Sequence, residues 1–236
     1  MSIFQKLAHR IVRNITDLRK KRNVKSVLAE MASYLHEREC RILYVELPIS
    51  DKIKGLTDFE KERIANWCFD FNKYKEELPK LKKLYGEHVT EEYIMSIFDG
   101  GVVVEGIKRK ILLDFQSRHQ HIINGRRVTT GQPRKYHHTI YTHGACTFRG
   151  TGVEDGETIA SYLQSLVNKE FADSYKVVNS GIGRGSSIYD DVEYMKEQNY
   201  KPGDIVIVGS HGPVLSSISP SFYKKHRIEF IRTSSL

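Results

Sequence analysis

The feature that most constrains this chain is the strand–loop–helix rhythm that begins at Tyr136. Thr139-Ile140-Tyr141-Thr142 reads as a strand and Thr158 to Val167 as a helix. Lys176-Val177-Val178-Asn179 is a second strand, and Ile188 to Gln198 a second helix. Asp204-Ile205-Val206-Ile207-Val208-Gly209 holds an unbroken apolar run, which suits a strand covered on both faces of a parallel sheet. Ile228-Glu229-Phe230-Ile231 supplies a fourth. Strands alternating with helices in this way imply crossover units and a parallel sheet. The predicted class is α/β.

The chain before this point has a different texture. Residues 2–37 read as helix, broken near Arg22-Asn23-Val24, with Val27, Leu28, Met31 and Leu35 at helical spacing. Arg41 to Leu47 is strand-like and is stopped by Pro48. Thr57-Asp58-Phe59-Glu60 is a capping-box pattern opening a helix through Trp67 and Phe71. Thr90-Glu91-Glu92 opens a shorter helix, closed by Gly100-Gly101, and Gly101 to Leu113 reads as β-branched and free of turns. His121 to Thr130 is a hairpin centred on Asn124-Gly125, a pair suited to a type I′ turn. The expected organisation is a helical and β-hairpin region over 1–132 and an α/β domain over 133–236, the latter cut short at its C-terminus if more chain exists beyond Leu236.

Charge narrows the partners. The formal net charge is +8, and much of the surplus lies in Lys6, Arg10, Arg13, Arg19, Lys20, Lys21, Arg22 and Lys25, with a second group at Arg126, Arg127, Arg134 and Lys135. Such runs are first read as solvated faces; the partner they suit is anionic. No nucleic-acid-reading motif accompanies them. No apolar stretch approaches the roughly 18 residues of a membrane span. Ile3, Phe4, Leu7, Ile11 and Ile15 share one helical face beside the basic residues, so peripheral contact of this first helix with a membrane is an open expectation. Cys40, Cys68 and Cys146 lack paired spacing, which predicts neither disulfide nor zinc site and suits a reducing, cytoplasmic setting. No metal or cofactor is expected.

In an open parallel sheet, ligands bind where loops leave the carboxyl ends of the strands. Three loops meet that description: His143-Gly144-Ala145-Cys146-Thr147-Phe148-Arg149-Gly150, Ser180-Gly181-Ile182-Gly183-Arg184-Gly185-Ser186-Ser187, and Gly209-Ser210-His211-Gly212-Pro213. Together they carry a thiol, two imidazoles, two guanidinium groups and several hydroxyls. A dinucleotide loop at Gly181-Ile182-Gly183-Arg184-Gly185-Ser186 is disfavoured, because Ser186 stands where the third glycine belongs.

These loops carry a family resemblance. Gly144 to Thr158 resembles the first block of SGNH/GDSL-type hydrolases, in which a tight turn presents the nucleophile. Val177 to Gly185 is similar to the second block, whose glycine supplies an oxyanion-hole N–H, and Lys201 to His211 to the third strand and its loop. The likeness spans about 136–212 and implies a flavodoxin-like three-layer parallel sheet. The Cys-bearing block and preceding Arg-rich hairpin most resemble SGNH-like proteins of bacterial surface-polysaccharide (capsule) biosynthesis. The chain departs from the family in three ways. Cys146 replaces the serine, His211 replaces an oxyanion-hole asparagine, and no Asp-x-x-His block follows the fourth strand.

The resemblance implies an acyl-transfer or esterase-type enzyme acting on a sugar or glycan precursor, with an acyl donor such as acyl-CoA. The alternative is a catalytically degenerate binding or scaffold protein of the same pathway. In the enzymatic reading Cys146 is the nucleophile, His211 the general base or polariser, and the backbone around Gly183 the oxyanion hole. His143, Arg149, Arg184, Gly185, Ser186 and Ser210 are the candidates for holding substrate.

Overall fold

The computed structural model describes residues 24–46, 79, 82, 86, 89–98, 103–106, 108–171, 174–183, 186–209 and 218–232. The basic segment before Val24, the helix expected from Thr57 and Cys68 lie outside these residues.

Every strand expected in the α/β rhythm forms: β7 (His138–His143), β8 (Tyr175–Asn179), β9 (Ile205–Gly209) and β10 (Glu229–Arg232). They join one eight-stranded sheet of order β10-β1-β9-β7-β8-β6-β5-β4, in which β1 is Arg41–Glu46, β4 Phe115–Gln116, β5 His121–Ile123 and β6 Arg126–Arg127. The run from β10 to β8 is parallel. The last three strands are antiparallel. β8 and β9 flank β7, and β1 takes the place beside β9, where it pairs with β10 on its other side.

Helices cover both faces, and strand periodicity decides which side chain meets which helix. Ile140, Val177, Ile205 and Ile207 pack with Ala160 and Val167 of α4 (Ile159–Phe171). Their neighbours Tyr141, Val178, Val206 and Val208 face the opposite way. There they meet α1 (Val24–His36), α5 (Ile188–Lys196) and α6 (Pro220–Lys225). Helix α1 buries Val27, Leu28, Met31 and Leu35, the residues its spacing singled out, together with Ala32. Val206 and Val208 are fully buried, and transfer from water alone stabilises each by roughly 1.5–3 kcal/mol.

The hairpin forms as its turn residues require, with Asn124 at φ 53° and Gly125 at φ 67°. It extends the sheet by pairing Arg127 with Asn179 at the end of β8. Along the rest of that edge, side-chain amides replace a neighbouring strand. Gln164 accepts from Val177 N–H at 2.6 Å and Gln132 donates to Val177 O at 2.5 Å.

The stretch read as free of turns instead folds back on itself. Val103–Glu105 (β2) and Lys110–Leu112 (β3) are antiparallel, closed by Gly106 N–H donating to Arg109 O at 3.0 Å. A Cβ on Gly106 would lie 2.5 Å from that carbonyl, so a single glycine permits the reversal. Thr90 Oγ1 accepts from Tyr93 N–H at 3.1 Å and so caps α2 (Glu91–Phe98) as its sequence implied.

Candidate functional site

The central strand β7 ends at His143, and the chain turns at once into α3, the four-residue helix Cys146–Arg149. Gly150 closes it in the left-handed conformation at φ 85°, donating to Cys146 O at 3.0 Å. Thr151 N–H adds a second bond to the same oxygen, also at 3.0 Å. Asn179, buried at the end of β8, locks the first two loops together. Its Nδ2 donates to Arg149 O at 3.2 Å and its Oδ1 accepts from Gly181 N–H at 3.0 Å. Ser180 N–H to Thr142 O (2.8 Å) and Ile182 N–H to Gly144 O (3.2 Å) complete the seam.

Two consecutive side chains of α3 pack against two different loops, and glycines make room for both. Phe148 lies against the carboxyl end of β9, where a Cβ on Gly209 would fall 1.8 Å from its ring. Arg149 lies against the β8 loop. A Cβ on Gly183 would meet its Cδ at 2.9 Å, and one on Gly181 its backbone N at 2.5 Å. The guanidinium donates to Thr151 Oγ1 at 3.1 Å from Nε and 2.5 Å from Nη2. Phe148 and Arg149 are buried, Cys146 is half-buried and Thr147 exposed. Cys146 is therefore partly covered within a closely packed turn.

Cys146, Arg149, Gly183 and Ser186 are thus gathered at one end of the sheet. Ser186 donates its N–H to Gly183 O at 2.9 Å, while its buried hydroxyl has no hydrogen-bond partner among the described residues. His143 is placed elsewhere. It follows Tyr141 by two residues on the same face and sits under α5, fully buried. Its Nε2 is 3.1 Å from Tyr200 Oη and its ring meets Tyr194 edge-on at 5.8 Å. Burial pushes its pKa down to about 4, with Asp191 opposing, so it is a neutral core histidine rather than a loop residue. Arg184, Gly185, Ser210 and His211 lie outside the described residues.

The sequence reading missed the clamp that holds this turn. Arg127, taken for part of a solvated basic cluster, is buried against the β7–α4 connection. It donates from Nε to Asp155 Oδ1 at 2.6 Å, from Nη1 to Gly150 O at 3.0 Å and from Nη2 to Val153 O at 2.7 Å. Burial lowers its pKa and the Asp155 carboxylate works against that shift. Arg126 also points inward, reaching Tyr194 Oη at 3.2 Å and Gln198 Oε1. Nothing in the local sequence distinguishes Arg127 from a surface arginine, because its partners Gly150, Val153 and Asp155 lie 23, 26 and 28 residues further along the chain.

Cys40, the other described thiol, is buried, and desolvation pushes its pKa up to about 11, with Asp204 adding to the rise. It is chemically quiet. No group of His, Cys, Asp and Glu among the described residues is arranged to hold a metal. No helix among them is long and apolar enough to cross a membrane. Comparison with protein-family models, curated proteins and solved structures finds no match to this chain.

Proposed function

We propose that this chain is an SGNH-like α/β enzyme of acyl-transfer or esterase type, in which Cys146 carries the acyl group. One observation carries the reading: Cys146 opens α3 directly after the central strand of a parallel sheet and stays half-buried while Phe148 and Arg149 of the same turn are packed away. That is where a doubly covered sheet offers a ligand site. The β8–β7–β9 order, with the second and third strands of the rhythm flanking the first, is in keeping with the flavodoxin-like arrangement.

The Cys146 thiolate adds to the carbonyl of an activated acyl donor. A C–S bond forms, the donor's C–O or C–S bond breaks, and the leaving group takes a proton. An acceptor hydroxyl then attacks the thioester, gives up its proton to a base and releases the thiolate. The Gly183 N–H in the β8 loop is the candidate among the described residues for holding the oxyanion, since Gly181, Ile182 and Ser186 donate theirs within the loops. The proposed acceptor is a sugar or glycan precursor of bacterial surface polysaccharide, on the strength of the sequence likeness, and acyl-CoA is a suitable donor. A thiol nucleophile fits the reducing cytoplasm.

A catalytically silent binding module is the second reading. It is favoured by Phe148, whose ring fills the space over Gly209 at the end of β9 and beside Gly144. Steady-state hydrolysis of p-nitrophenyl acetate separates the two. The enzyme reading predicts that Cys146→Ala removes the activity; a rate unchanged by that substitution, with glycan binding retained, favours the module.

A further inference from the structure

Helix α4 carries its larger apolar side chains on the wrong face for a helix that covers a sheet. The residues it buries are small or polar: Ala160, Ser161, Gln164 and Val167. On its outer face, Tyr162 and Leu166 are 61% and 58% exposed, the two most exposed large hydrophobic side chains among the described residues. With half-buried Ile159 before them and exposed Lys169 after, they recur at intervals of three, four and three residues. At 3.6 residues per turn that spacing draws one stripe along the helix, the pattern of a helix–helix seam.

The helix is not free to turn this stripe inward. Gln164 accepts from Val177 N–H at 2.6 Å and donates to Tyr175 O at 3.1 Å. Ser161 Oγ accepts from Thr130 N–H at 3.0 Å and donates to Asp155 O at 2.5 Å. Rotating α4 about its axis would break these bonds and leave buried polar groups unpaired. The stripe is therefore a fixed feature of the surface, and contiguous exposed apolar side chains mark contact sites.

The two ends of the stripe select what fits it. Glu157, just before the N-terminal end of α4, and Lys169, near its C-terminal end, are exposed and form no ion pair among the described residues. An apolar middle flanked by opposite charges is self-complementary under a two-fold axis. Setting two copies of α4 antiparallel, with Tyr162 level with Leu166 of the partner subunit, also sets Ile159 level with Lys169 of the partner subunit. Glu157 lies two residues further on, where the long lysine stem carries its ammonium. A parallel pair would instead oppose like charges.

We propose that the outer face of α4 is the interface of a two-fold dimer of this chain. The two helices run antiparallel, with Tyr162 packed on Leu166 of the partner subunit and Lys169 paired with Glu157 of the partner subunit. None of these residues belongs to the Cys146 turn, so the dimer stands whether or not Cys146 carries an acyl group. One helix pair lies at the small end of specific interfaces, below about 1,200 Å², and a dissociation constant on the order of 10 µM is expected.

Sedimentation equilibrium of the full chain between about 1 and 300 µM brackets that constant, and the mass should rise from one chain toward two. Leu166→Glu should weaken the dimer about 30-fold or more, since it sets a charge in the centre of the contact. The circular dichroism of the dilute variant should be unchanged, because Leu166 is exposed in the single chain. Lys169→Glu and Glu157→Lys should each weaken the dimer about fivefold, and the two together should restore it to within about twofold. A chain that stays monomeric throughout, or a dimer that Leu166→Glu leaves intact, overturns the interface. Charge changes that fail to restore each other overturn the antiparallel pairing. A monomer that binds phosphatidylserine-containing vesicles, and loses that binding with Leu166→Glu, gives the face to a membrane and also overturns the dimer.

Discussion

At the residue scale, the site is shaped by close approach more than by charge. Gly209 is the clearest case, since Phe148 stands where its Cβ would be. Gly209→Ala should cost about 3 kcal/mol, the upper part of the usual overpacking range. The same change made in a Phe148→Ala background should cost much less, because the clash partner is gone. Equal costs in both backgrounds, measured by urea unfolding, would contradict the packing described. His143 yields a prediction of a different kind. Its folded pKa of about 4 lies below the ordinary value of 6.5. Above pH 6.5 the group is neutral folded and unfolded, so it adds no pH dependence. As pH falls from 6.5 to 4, the unfolded chain takes up a proton that the folded one refuses, and up to about 3 kcal/mol of stability is lost. His143→Gln should remove that part of the acid destabilisation; unchanged curves would show that the ring is not held neutral.

At the scale of elements, the strands were the most legible part. Val206 and Val208 against Ile205 and Ile207 announce a strand buried on both faces, and the structure sends the two pairs to opposite helical layers. Asn124-Gly125 likewise fixes its hairpin locally. What local pattern could not show was partnership. Arg127 looks like any surface arginine until Asp155, Gly150 and Val153 surround it. Nor does the sequence of Arg41–Glu46 say that it will lie between β9 and β10, a pairing made across more than 150 residues of chain. That pairing has a consequence for stability. Without β1, the fragment 133–236 leaves β9 with an open edge and β10 with no strand beside it. Unpaired buried backbone groups are costly, so this fragment should fail to unfold cooperatively on its own. A fragment that melts at the temperature of the full chain would show that β1 is dispensable.

At the scale of the molecule, a parallel sheet brings the carboxyl ends of β7, β8 and β9 to one edge, and a hairpin added beside β8 braces the loop that follows β7. Of the predicted site, Cys146, Arg149, Gly183 and Ser186 share that edge, whereas His143 serves the core. The brace ties Asp155, in the connection that carries the thiol, to Arg127 and His121. The central claim is that this thiol is the acyl carrier. Peptide mass spectrometry after brief exposure of the full chain to p-nitrophenyl acetate tests it most directly. The expected result is one acetyl group on the peptide containing Cys146, lost again on a turnover timescale and not formed in Cys146→Ala. An acetyl group placed on other residues alone, or none at all, would contradict it.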